Sequence, residues 1–115
     1  MGIQYADEPK QPGETLRYSM EYVPGESIAT GDTLTGAGTV VITRMSDGVI
    51  VTNDVVGPPA IVGMLAEAVQ RDNNTLYAKI EKGTHGETYK ITFACGTTYG
   101  ELAVEEDLIL EVKSL

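Results

Sequence analysis

Tryptophan is absent from this chain of 115 residues, and cysteine, histidine and phenylalanine occur once each. A single thiol cannot form an internal disulfide. Cys95 falls on the apolar parity of its segment, so the expectation is a buried free thiol. A zinc site needs several Cys or His ligands, and the chain holds two such residues in all. His85, the one imidazole, sits between Gly83 and Gly86 in a turn pattern with no second base beside it, so a nucleophilic triad has no parts to assemble from. Basic residues are scarce: eight against seventeen acidic ones, a net charge of −9. Binding to nucleic acid rests largely on neutralising phosphates, so this balance argues against a nucleic-acid partner and equally against an anionic membrane surface. No apolar run approaches the roughly 18 residues of a membrane span. The first residues lack the basic-then-apolar pattern of a signal peptide.

What is present is alternation. Tyr89, Ile91, Phe93 and Cys95 alternate with Lys90, Thr92 and Ala94, the mark of a strand with one buried face. The return run puts Leu102, Val104, Leu108, Leu110 and Val112 on one parity; Glu106 breaks that row, which suggests a bulge or the edge of the core there. The short connection bracketed by Gly96 and Gly100 suits a hairpin. Upstream, Leu16, Tyr18, Met20 and Tyr22 share a parity, and Leu76, Ala78 and Ile80 do the same. A β-branched run at 38–45 ends at Ser46-Asp47-Gly48, a tight-turn signal, and residues 49–56 follow as its pairing partner. Gly57-Pro58-Pro59 then stops the sheet. From Ala60 to Arg71 the period changes: Ile61, Met64, Leu65 and Ala68 fall at helical spacing, which predicts one short amphipathic helix ended by Asp72-Asn73-Asn74. Residues 1–14 carry two prolines and little apolar content, and read as a leader that is loose alone or ordered only against a neighbour.

About seven strand-like segments separated by turn signals point to an all-β fold, an immunoglobulin-like β-sandwich with one short inserted helix. The expected division is an N-terminal arm, residues 1–13, and a sandwich domain, residues 14–115. One domain of this size can bury roughly two-thirds of its unfolded surface, so it needs neither disulfide nor metal to fold.

Constellations for chemistry are weak. Of Glu105, Glu106 and Asp107, only the first and third share a strand face, and no calcium-loop pattern surrounds them. Gly31 to Gly38 holds three glycines, but no lysine or helix follows as a phosphate cradle requires; a flexible turn between strands is expected there. Catalytic, cofactor and metal roles are therefore assigned to no residue. Tyr77, on the outward parity of its strand, and Tyr99, in the last hairpin loop, are candidates for a protein interface, because tyrosine offers a large apolar body with a polar tip. The apolar face of the expected helix, Ile61, Met64, Leu65 and Ala68, is the other candidate.

Several segments, taken in order, resemble a known family. Glu14-Thr-Leu-Arg-Tyr18-Ser-Met-Glu-Tyr followed by Ile28-Ala-Thr-Gly31-Asp32-Thr33-Leu34 is similar to the opening of the fiber–tail adaptor proteins of tailed bacteriophages. Gly83-Thr84-His-Gly86 leading into Tyr89-Lys-Ile-Thr, the loop Thr97-Thr98-Tyr99-Gly100, and the run from Glu106 to Val112 resemble that family's close. The stretch from Met64 to Asn74 departs from it as an insertion, and Ala37-Gly38-Thr39 stands where the family carries an aromatic. The resemblance implies an immunoglobulin-like sandwich without enzymatic activity and a structural role in the virion, at the tail or neck, after assembly in the host cytoplasm. Its implied partners are further copies in a ring and other tail, neck or fibre proteins. Ring assembly needs two different faces, and the arm and the helix are the expected ones. A module recognising host-surface carbohydrate or protein through its loops is the alternative expectation.

Overall fold

Side-chain alternation builds seven strands. A computed structural model describes residues 2–100 and 103–114. The strands are β1 (Ile3–Tyr5), β2 (Leu16–Glu21), β3 (Leu34–Arg44), β4 (Gln70–Asp72), β5 (Thr75–Ile80), β6 (Thr88–Thr97) and β7 (Val104–Glu111). They form two sheets, a larger one ordered β1-β7-β6-β3 and a smaller one ordered β2-β5-β4. All pairs are antiparallel except β1 with β7. Tyr89, Ile91, Phe93 and Cys95 of β6 are buried, as are Leu76, Ala78 and Ile80 of β5. With Met20, Val40, Ile42, Leu108 and Leu110 they make one core between the sheets. Each large aliphatic or aromatic side chain buried there contributes about 1.5–3 kcal/mol relative to exposure. Cys95 is a buried free thiol, its Sγ donating to the Thr35 carbonyl at 3.1 Å. Leu102 lies outside the described residues.

No helix forms in the described residues. The stretch expected to be helical runs extended and irregular instead, and its C-terminal residues become β4. The reason lies in where its amides go. Met64 N–H donates to the Val51 carbonyl at 2.9 Å, Leu65 N–H to Thr52 at 3.1 Å and Ala66 N–H to Lys79 at 2.8 Å, while Glu81 N–H donates to Met64 at 2.8 Å. The segment thus stitches residues 51–52 to residues 79–81. Tertiary hydrogen bonds on both sides replace the i→i−4 bonds that a short segment containing Val62 and Gly63 would hold weakly. Asp72-Asn73-Asn74 is the turn of the β4–β5 hairpin, with Asn73 in the left-handed region at φ 54°, a conformation asparagine tolerates.

Four further expectations change. Glu106 is 6% exposed, yet β6 and β7 run in unbroken register past it. Its carboxylate is satisfied by the Gly2 N–H at 2.6 Å, so no bulge is needed. The bulge falls in β3 instead, between Thr35 and Thr39. There Gly36 and Gly38 take φ of 79° and 78°, so the glycine-rich stretch is a kink within a strand and not a turn between strands. The segment after Asp47-Gly48 pairs only briefly: Val51 N–H bonds to Ile42 and the Arg44 N–H to Val49, and the Thr52 hydroxyl then accepts the Ile42 N–H. The N-terminal residues lie on the chain's own sheet. Ile3–Tyr5 pair with residues 107–109 of β7, and Lys10 bridges to Val112. Lys10 is buried, with its ammonium donating to the carbonyls of Gln11 and Lys82. Burial lowers its proton affinity, partly offset by Glu14 and Glu81.

Candidate functional site

Two segments far apart in sequence meet at one end of the molecule. Leu34 pairs with Thr97, where β3 begins and β6 ends. Immediately outside that pair, the Gly31-Asp32-Thr33 turn packs on the Thr97-Thr98-Tyr99-Gly100 loop. Asp32 is the link. One carboxylate oxygen accepts from the Thr33 N–H at 2.8 Å, the Thr98 hydroxyl at 2.8 Å and the Tyr99 N–H at 3.1 Å. Burial alone would raise its proton affinity, but hydrogen bonds from Thr97, Thr98, Thr33 and Tyr99 outweigh it and hold the group below the usual carboxylate range. Gly31 closes the corner: its φ is 81°, and a Cβ there would lie 3.1 Å from the Tyr99 hydroxyl. Tyr99 remains 67% exposed. An aromatic whose backbone is held and whose ring is offered to solvent is a candidate docking contact, because less backbone freedom remains to lose.

The opposite end, where Arg44 pairs with Tyr89, carries a different surface. Residues 59–62 lie against residues 82–84 there, around a cleft of about 410 Å³. Exposed apolar side chains come from one stretch of chain: Met45, Ile50, Val55, Val56 and Val62, with Val56 98% exposed. Val55 and Ile61 exchange two backbone hydrogen bonds at 2.9 Å and so hold the tip as a small loop. The alternation of residues 49–56 took in only Val55 of these, and the tip straddles Gly57-Pro58-Pro59 and belongs to no strand.

The other candidates divide. Met64 is 2% exposed and belongs to the core; Ile61 and Leu65 are half-buried against it; Ala68 is exposed. Tyr77 is half-buried, with the Arg17 guanidinium carbon 4.2 Å from its ring centroid, a cation–π stack on the outer face of the smaller sheet. Asp32 was read only as a turn residue; its role in fixing Tyr99 depends on a contact across 67 positions, which no local pattern encodes. His85 is exposed, its Nδ1 accepting the Ser114 N–H at 2.9 Å. Among the described residues no three His, Cys, Asp or Glu side chains gather as a metal group.

Neither the curated proteins nor the solved structures contain a match to this chain. A family model does match: podophage GP4 fiber-tail adaptor protein gp77, over residues 10–111. That span takes in both ends of the molecule just described and six of the seven strands, all but β1, so the chain belongs to the podophage GP4 fiber-tail adaptor family.

Proposed function

We propose that this chain is a structural protein of the virion of a tailed bacteriophage and works as an adaptor, joining fibres or neck components to the tail through protein–protein contacts. The observation that carries the reading is the pair of unlike surfaces at opposite ends of the β3–β6 pair, one beside Leu34 and Thr97 and the other beside Arg44 and Tyr89. One is a fixed tyrosine corner around Asp32 and Tyr99; the other is the apolar tip at residues 45–62. An adaptor needs two faces that do not compete, and copies in a ring need heterologous contacts that close. The apolar tip takes the place that the expected helix would have had. Residues 1–13 remain the candidate arm, and their outward side chains Ile3 and Tyr5 are exposed.

The same reading takes the fold as immunoglobulin-like. Its support is strand order: β2-β5-β4 faces β3-β6-β7, the arrangement of B-E-D against C-F-G. A second support is Tyr89 at the start of β6, whose hydroxyl accepts the Thr84 N–H at 3.0 Å, as the tyrosine corner of such sandwiches does.

The test is a three-component association measurement. Fibre and tail proteins of the same phage, mixed with and without the purified chain, should join only when it is present. Fibres that bind tails equally well without it would overturn the reading.

A further inference from the structure

β2 is the end strand of the smaller sheet, with β5 on one side and, among the described residues, no strand on the other. Tyr22 N–H donates to the Asn74 carbonyl at 2.7 Å, in the same register that pairs Leu16 with Ile80. Antiparallel pairs alternate, so the even-numbered residues point their backbone groups at β5. Arg17, Ser19 and Glu21 therefore turn their N–H and C=O groups outward, and all three residues are exposed. A cleft runs along this edge. Its first part, about 600 Å³, lies between residues 4–9 and residues 14–19, with Leu108 also lining it. Its second part, about 290 Å³, continues past Glu21 to Val23 and Glu26, and Gln4 lines both. Tyr18 also lines the first part, through atoms other than its buried hydroxyl.

We propose that this seam receives an extended segment of a partner protein, which adds to the smaller sheet as a strand beside β2. Such strand addition takes affinity from main-chain hydrogen bonds and specificity from alternate side chains. The proposal rests on the adaptor reading and names the chemistry of one partner. Charge selects the occupant. Asp7, Glu8 and Glu14 line the first part of the seam and Glu21, Glu26 and Glu106 the second, against Arg17 alone. Arg17 is itself stacked on Tyr77. A segment carrying Lys or Arg is therefore favoured. A second copy is not: its own N-terminal stretch carries Asp7 and Glu8, and the whole chain bears a net charge of −9. The six residues of β2 offer about 20 Å of edge, so the segment is about six residues long.

The experiment follows backbone amide exchange in the wild-type chain, free and in complex with the fibre and tail proteins of its phage. The amides of Arg17, Ser19 and Glu21 should slow at least tenfold in the complex. Ser19→Pro removes one outward N–H and no bond to β5, a change an edge strand tolerates. It should leave the circular dichroism spectrum unchanged and weaken association at least tenfold, while Ser19→Ala does neither. If the wild-type chain joins its partners but these amides exchange as in the free protein, the seam proposal is overturned and the adaptor reading stands. An occupant segment with net negative charge overturns it as well. If the wild-type chain joins no fibre or tail protein, both fail together.

Discussion

Single residues hold this molecule together at places where strands alone do not reach. The Tyr22 hydroxyl is one, lying 2.9 Å from both the Phe93 and the Val104 carbonyls and so tying the smaller sheet to the β6–β7 pair. Tyr22→Phe should cost about 1–2 kcal/mol in a denaturant titration, the usual range for a lost buried hydrogen bond. Burial, with Glu106 next, raises the proton affinity of this phenol. The unfolded chain releases that proton above about pH 10 while the folded chain keeps it. The stability tied to Tyr22 is thus fully present below that pH and lost as pH rises beyond it. Tyr22→Phe should accordingly show a shallower alkaline loss of stability than the wild type. Asp32 behaves oppositely, since its hydrogen bonds depress its proton affinity. Its contribution is present above the usual carboxylate range and lost as pH falls through it. Asp32→Asn should flatten the acid limb, and exchange of the Tyr99 amide should speed at least tenfold as the corner loosens. An unchanged rate would mean that Tyr99 is held by something else.

At the scale of elements, the bulge in β3 shows how much of the fold a one-dimensional pattern can carry. A Cβ on Gly38 would lie 2.8 Å from Leu76 Cδ2, whereas one on Gly36 would meet nothing within 4 Å. Both glycines have positive φ. Gly36→Ala should therefore cost about 1–2 kcal/mol from backbone strain alone, and Gly38→Ala at least about 1 kcal/mol more from displaced core packing. Equal costs in thermal unfolding would show that the kink is not packed against β5. The two-residue period of β2, β5, β6 and β7 was legible because each buries one face, so parity in sequence is parity in space. The helix was misread because Ile61, Met64 and Leu65 reach the core from an irregular segment whose spacing only imitates a helical stripe. Its true partners, Val51, Thr52 and Lys79, are invisible to a local window. Residues 3–5 were missed for a related reason: β1 takes its stability from β7, more than 100 positions later. At the candidate site the tyrosine could be seen in the sequence, but not the carboxylate that aims it. The apolar tip was overlooked because Val55, Val56 and Val62 straddle a proline stop that reads as mere punctuation.

At the scale of the whole molecule, the proposed two-ended adaptor can be tested without disturbing the core. Val56→Asp with Val62→Asp changes exposed side chains only, so the thermal midpoint should stay within the equivalent of about 0.5 kcal/mol of wild type. Association with one partner should fall at least tenfold. Tyr99→Ala should weaken association with the other partner and spare the first. Loss of both partners on either change would show that the two ends serve one interface.

The parallel pairing of β1 with β7 has a mechanical consequence. Tension applied between Gly2 and Ser114 would drag these two strands past each other lengthwise. Their hydrogen bonds then bear the load together, whereas peeling a hairpin from its open end breaks bonds one after another. The buried Lys10, clasped to Gln11 and Lys82 just beyond that pair, acts as a second latch in series. A connector pulled from its two termini would resist by shear, and slack would enter only after the whole register gave way.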